Sequence, residues 1–69
     1  MIEETFGKRL KDLRNERGLT QEGLAKELNV DKSTIAKYET DKIEPSISML
    51  KVIVKYFDVS ADYMLGLSV

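Results

Sequence analysis

Apolar residues recur along this chain at helical steps, in short runs separated by residues that start and stop helices. Phe6, Leu10 and Leu13 stand four and three apart, which predicts one apolar face on a helix from about Thr5 to Arg17, with charges filling the other face. Gly18 ends that helix in a left-handed conformation, and Arg14 and Arg17 suit its negative end. Between Thr20 and Glu39 the apolar residues Leu24, Ala25, Leu28, Val30, Ile35 and Tyr38 fall into two runs of helical spacing, broken at Asn29-Val30-Asp31. Thr20 and Asp31 are the predicted caps of these two helices. Asn29 takes the left-handed position between them. Ala25 lies where the two crossing helices come closest, so a larger side chain there would push them apart. Two short helices with a tight turn make a helix-turn-helix.

The remaining chain continues the pattern. Thr40 to Pro45 is polar and ends in a proline that disfavours a helical Glu44, so it reads as a loop. Ser46 then caps a fourth helix with Ile47, Leu50, Ile53, Val54 and Phe57 on one face and Lys51 and Lys55 on the other. Asp58-Val59 breaks it. Ser60 caps a last short helix, Ala61 to about Leu65, with Asp62 near its positive end, Gly66 as its stop, and an unusually apolar tail, Leu67-Ser68-Val69. The prediction is an all-α architecture of five short helices in a single domain spanning residues 1–69.

Size sharpens this picture. A 69-residue chain buries only about 60% of its unfolded surface, and it has neither cysteine nor histidine to add a disulfide or a zinc site of the usual kind. The core must come from packed aliphatics or from a second subunit. The same absence removes the thiol nucleophile and the imidazole base, and the carboxylates sit among lysines with no glycine-rich phosphate loop nearby, so the residues argue against an enzyme and no cofactor is expected. No run approaches the roughly 18 apolar residues of a membrane span, and Met1-Ile-Glu-Glu lacks the start of a signal peptide, which predicts a cytoplasmic protein without membrane contact.

Eleven basic against twelve acidic residues leave a net charge of −1, which does not favour phosphate binding by itself. The distribution is more telling. Lys8, Arg9, Lys11, Arg14 and Arg17 crowd the first helix, and Lys32, Lys37 and Lys42 recur through and past the third, allowing a basic stripe.

The run from Leu19 through Glu39, preceded by Arg9-Leu-Lys-Asp-Leu-Arg14 and followed by Pro45-Ser46, resembles the Cro and repressor helix-turn-helix family of phages and bacteria. The resemblance spans about Phe6 to Gly66 and implies a five-helix, lambda-repressor-like DNA-binding domain. In a helix-turn-helix the second helix of the motif enters the major groove, so Lys32, Ser33 and, a turn later, Lys37 should face base edges while Ile35 and Tyr38 face the core. Lysine can donate to guanine O6 and N7, and serine can donate or accept. From the residues alone, ordinary solvated positions explain these three equally well; the resemblance favours DNA.

The resemblance also implies roles for further residues. Gln21 occupies a position from which family members touch a backbone phosphate and brace the recognition helix, and it opens a helix whose positive end favours an anion. Thr40, Lys42 and Ser46 match positions that grip the DNA backbone; from the residues alone a solvated loop and a cap explain these three equally well, and Gln21 reads as a polar first-turn residue. Arg14 and Glu39 match an internal salt bridge between the first helix and the recognition helix. Two residues depart from the family pattern: Asp31 stands where Ser or Thr is common, placing a carboxylate near phosphates, and Asp41 replaces a Gly but tolerates the left-handed conformation.

Tyr63, Met64, Leu67 and Val69 offer more apolar surface than a short last helix can bury against a core already supplied by Phe6, Leu10, Leu28, Ile53 and Phe57. Similar proteins pair two-fold through this region, so these four residues are the expected homodimer interface on a near-palindromic operator; the alternative is that they simply close the monomer's own core, since small domains need every aliphatic they have. The resulting expectation is a transcriptional regulator, a repressor, that binds double-stranded DNA and no small-molecule ligand. It acts by simple occupancy or as the DNA-binding part of a longer repressor. The rival from another class is a protein-interaction module with the same fold and no DNA binding, in keeping with the near-zero net charge.

Overall fold

A computed structural model describes residues 4–67. Among them run five helices, α1 (Phe6–Glu16), α2 (Gln21–Leu28), α3 (Lys32–Glu39), α4 (Ile47–Phe57) and α5 (Ala61–Leu65). None is long and apolar enough to cross a membrane.

Each helix begins and ends on local chemistry. The hydroxyls of Thr5, Thr20, Ser46 and Ser60 accept the N–H groups of Lys8, Gly23, Met49 and Tyr63 at 3.1, 2.9, 3.0 and 3.0 Å, satisfying donors that a first helical turn leaves free. Asp31 holds the same position before α3 but differs from the sequence expectation, because its side chain makes no capping hydrogen bond. Its backbone carbonyl instead accepts the Thr34 N–H at 3.0 Å, and the carboxylate stays in solvent.

The five C-termini share one closure. The N–H groups of Leu19, Val30, Lys42, Val59 and Leu67 each donate back five residues, to the carbonyls of Arg14, Ala25, Lys37, Val54 and Asp62, at 2.8–3.1 Å. The residue before each donor, Gly18, Asn29, Asp41, Asp58 or Gly66, sits at a φ between 55° and 73°. This is the Schellman turn, which pairs otherwise orphaned carbonyls through one left-handed residue. Asn and Asp tolerate that conformation better than other side chains, so Asp58 does more than interrupt α4: it closes it.

Helix α3 packs against both α1 and α2, while α5 bridges α1 and α4. Leu10, Leu24, Ile35, Ile53 and Met64 are fully buried, joined by Ala25, Leu28, Tyr38 and Phe57, and Phe6 meets Tyr38 edge to face at 6.4 Å. Met64 corrects the sequence expectation. It has no solvent-exposed surface and closes the domain's own core, because consecutive helical residues point about 100° apart and the face of α5 that turns inward carries Met64, leaving Tyr63 outside. A charge at Met64 would unfold the domain rather than split a dimer. Val69, also assigned to the interface, lies outside the described residues.

Two features tie α1 to the end of α3. A Cβ on Gly7 would lie 2.5 Å from the Tyr38 carbonyl oxygen and 2.6 Å from that of Glu39, so α1 reaches this close only because Gly7 has no side chain. Asp41 then clasps the start of α1: its Oδ2 accepts the Thr5 hydroxyl at 2.6 Å and its Oδ1 the Gly7 N–H at 3.0 Å. A Gly7→Ala substitution should therefore force α1 off α3 and destabilise the domain by about 1–3 kcal/mol, the usual cost of overpacking. Thermal unfolding followed by circular dichroism would read this as a melting-temperature drop of about 4–8 °C for each kcal/mol.

Candidate nucleic-acid interface

The geometry of the surface begins with what holds α3 from behind. Arg14, from α1, and Glu39, from the last turn of α3, are both buried. Arg14 Nε donates to Glu39 Oε2 at 2.6 Å and an Nη to Oε1 at 3.0 Å, the two-pronged geometry in which guanidinium and carboxylate match best. The other Nη donates to the Leu19 carbonyl at 2.8 Å, and Gln21 Nε2 adds a third hydrogen bond to the carboxylate at 3.1 Å. The hydrogen bonds to Glu39 hold the Arg14 guanidinium above its ordinary pKa against the opposing effect of burial. One cluster thus joins α1, the turn before α2, the first residue of α2 and the end of α3.

In front of this cluster lies a cleft of about 420 Å³ lined by Arg14, Thr20, Gln21, Glu22 and Lys32. The starts of α2 and α3 converge there, so free N–H groups of two first turns lie close together. Lys32, Ser33 and Lys37 are exposed, while Ile35, Tyr38 and Glu39 face inward. Gln21 and Lys32 share the cleft, and Ser33 and Lys37 lie one turn apart on the outer face of α3. Thr40 and Lys42 follow in the exposed turn after α3, where the Thr40 hydroxyl donates back to the Ala36 carbonyl at 2.9 Å. Ser46 stands apart at the start of α4 with its hydroxyl capping that helix.

The cations of α1 do not form the stripe that their sequence density allows. Lys8 pairs with Asp12 at 2.6 Å. Arg9 donates to the Tyr63 carbonyl at 3.1 Å and lies over the Tyr63 ring. Arg17 donates to the Tyr56 carbonyl at 3.3 Å and stacks over Tyr56 and Phe57. With Arg14 buried, the three arginines hold α3, α4 and α5, while Lys8 pairs within α1 and Lys11 stays exposed. Sequence reasoning missed these roles, as it missed the clasp by Asp41. The only local signal was a density of Arg on one helix, which does not distinguish a DNA stripe from internal anchors.

A family model described as helix-turn-helix matches residues 10–64. The chain belongs to this family. Among its relatives are the uncharacterised helix-turn-helix-type transcriptional regulator YobD of Bacillus subtilis, 38% identical over 91% of this chain and 56% of that protein, and the regulator ImmR of the same organism, 37% identical over 90% and 49%. The chain spans about half the length of these two relatives. The P22 c2 repressor, solved in complex with a synthetic operator, superposes with a TM-score of 0.87 at 26% identity, over 94% of this chain and 98% of that one. The Cro- and repressor-type resemblance and the five-helix lambda-repressor-like fold are thereby established for residues 4–67.

The buried cluster makes a direct stability prediction for this helix-turn-helix. Glu39→Ala leaves the Arg14 guanidinium without its counter-ion and should cost about 3–5 kcal/mol in chemical denaturation. Replacing the pair together, Arg14→Met with Glu39→Leu, should recover much of that loss, because apolar side chains of similar size avoid the desolvation penalty. Equal losses in the single and double variants would contradict the ion-pair account.

Proposed function

We propose that this chain is the operator-reading domain of a transcriptional regulator, a repressor, which presents α3 to the major groove of double-stranded DNA. The observation that carries this reading is the rigid mounting of α3. Its inner face is locked by Ile35, Tyr38 and the Arg14–Glu39–Gln21 cluster, while Lys32, Ser33 and Lys37 stand in solvent on its outer side. The P22 c2 repressor carries the same fold in a complex with operator DNA, which supports the same use here.

In this reading Lys32, Ser33 and Lys37 contact bases, and Gln21, Thr40, Lys42 and Ser46 contact phosphates. Gln21 suits a double role: one amide hydrogen is held by Glu39, and the other remains for a phosphate at the start of α2.

The proposed assembly is a homodimer on a near-palindromic operator, with recognition helices about 34–36 Å apart. Apolar surface left uncovered around α5 supports it. Leu67 is 69% exposed, Leu65 51% and Ile47 75%, and a groove of about 260 Å³ runs between Phe6, Pro45, Ile47, Leu50 and Leu65. Exposed apolar side chains gathered beside an apolar groove on a small domain suit a contact surface. Tyr63 contributes its edge, since Arg9 covers one face of the ring.

Two experiments test this function. Lys32→Ala should relax preference at one or two base positions per half-site and cost about 1–3 kcal/mol on the best site, whereas Lys42→Ala should weaken all sequences alike and lower the salt slope by about one. Identical profiles across a panel of operator variants would overturn the assignment of reader and anchor. Leu65→Asp combined with Leu67→Asp should shift sedimentation from dimer to monomer and abolish cooperative half-site occupancy, with helix content kept. A wild-type monomer at high concentration that binds one half-site as tightly as a palindrome would exclude the homodimer.

A further inference from the structure

Among the starts of the described helices, the one before α3 carries a carboxylate that makes no hydrogen bond or ion pair within the domain. The Asp31 side chain caps nothing, is exposed, and has no cation within ion-pair range among the described residues. It directly precedes Lys32, at the start of α3, the end of a recognition helix whose residues reach base edges in a helix-turn-helix. Asp31 is therefore held by no neighbour and stands where a duplex would meet it.

A carboxylate at that place faces two kinds of surface. Phosphates repel it, and no cation among the described residues pairs with it. Base edges differ: in the major groove guanine shows O6 and N7 and thymine shows O4, all acceptors, while only cytosine N4 and adenine N6 donate. An ionised carboxylate is acceptor-only. At adenine the neighbouring N7 acceptor would oppose the second carboxylate oxygen. At cytosine the neighbouring edge is a C–H and repels nothing. The guanine paired with that cytosine then offers O6 and N7 to a lysine, and Lys32 is the next residue.

We infer that Asp31 is a specificity-determining residue that accepts a hydrogen bond from a cytosine N4 amine, so that Asp31 and Lys32 together select a C·G pair at one position of each half-site. This deepens the proposed DNA reading and rests on it. The carboxylate lowers affinity for every other base pair at that position, because it meets acceptors or phosphates without compensation. Discrimination arises from that penalty as much as from the new bond.

The test starts from an operator selected out of a random duplex pool by the wild-type chain, followed by replacement of each half-site cytosine in turn with a 2-pyrimidinone base that lacks the N4 amine. One such replacement should weaken the wild type by about ten-fold or more and leave Asp31→Ala almost unaffected. Reselection with Asp31→Asn should move the preference at that position from cytosine toward adenine, whose N6 and N7 match an amide. Asp31→Ala and Asp31→Asn should melt within about 8 °C of the wild type, since the carboxylate holds no hydrogen bond and touches the fold only through the α3 dipole; a larger drop would assign Asp31 to the fold instead and overturn the inference. Indifference of the wild type to amine removal at every cytosine, or identical selected sequences for wild type and Asp31→Ala, would also overturn it while leaving DNA binding intact. Failure of the wild type to bind duplex in a salt-dependent way would instead remove the DNA reading and the role of Asp31 with it.

Discussion

The ion pair of Arg14 and Glu39 sits where a small domain can least easily hold two charges, between its first helix and the helix that faces outward. Taking either ion from water costs several kcal/mol, and their mutual attraction offsets this only when the geometry is good and the remaining lone pairs and protons are used. Here both conditions hold. The guanidinium meets the carboxylate with two prongs and still reaches the Leu19 carbonyl, and Gln21 takes up the carboxylate from the other side. An apolar pair of similar volume would serve stability as well. It would not fix how α3 is rotated about its own axis, because dispersion contacts are tolerant of small rotations and a fork of directed hydrogen bonds is not.

That rotation is what the rest of the structure protects. At its beginning α3 is set by the left-handed turn at Asn29, in its middle by Ile35 and Tyr38, and at its end by the approach of Gly7 and the clasp of Asp41 on Thr5 and Gly7. The helix proposed to read DNA is therefore also a core helix. With so little interior available, one element has to do both, and the exposed side chains of α3 inherit the precision of the buried ones.

Much of this was legible in the sequence, because much of it is local. Thr20, Ser46 and Ser60 read correctly as caps, and Gly18, Asn29 and Gly66 as stops, since each acts on residues within one turn of itself. What escaped was decided by contacts far along the chain. Asp31 has both the side chain and the extended backbone of a cap, φ −75° and ψ 151°, and nothing in the structure explains why its carboxylate makes no capping hydrogen bond. Asp41 reads as a tolerated substitute for glycine, yet its carboxylate acts on residues 34 and 36 positions away. Met64 and Leu67 are alike on a hydropathy scale; only the short length of α5 and its docking between α1 and α4 bury one and expose the other. The base-contacting and phosphate-contacting roles of the exposed side chains are not tested by the fold at all. They rest on the family's docking geometry.

The engagement of Arg9, Arg14 and Arg17 inside the domain bears on how such a protein would hold DNA. Each of these guanidiniums is tied to a carbonyl, a ring or a carboxylate, which leaves lysines as the mobile cations of the surface, on a chain of net charge −1. Counter-ion release scales with the number of phosphates neutralised, so on the proposed DNA face of Lys32, Lys37 and Lys42 one copy would gain little non-specific affinity. A weakly attracted reader does not linger on random duplex. Affinity must then come from short-range fit and from joining two copies, where the second half-site binds at the effective concentration set by the first. On the proposed homodimer the apolar patch around Leu65 and Leu67 and the sparse charge on α3 are parts of one arrangement: the weaker each half-site contact is, the more sharply occupancy depends on the two-fold pairing.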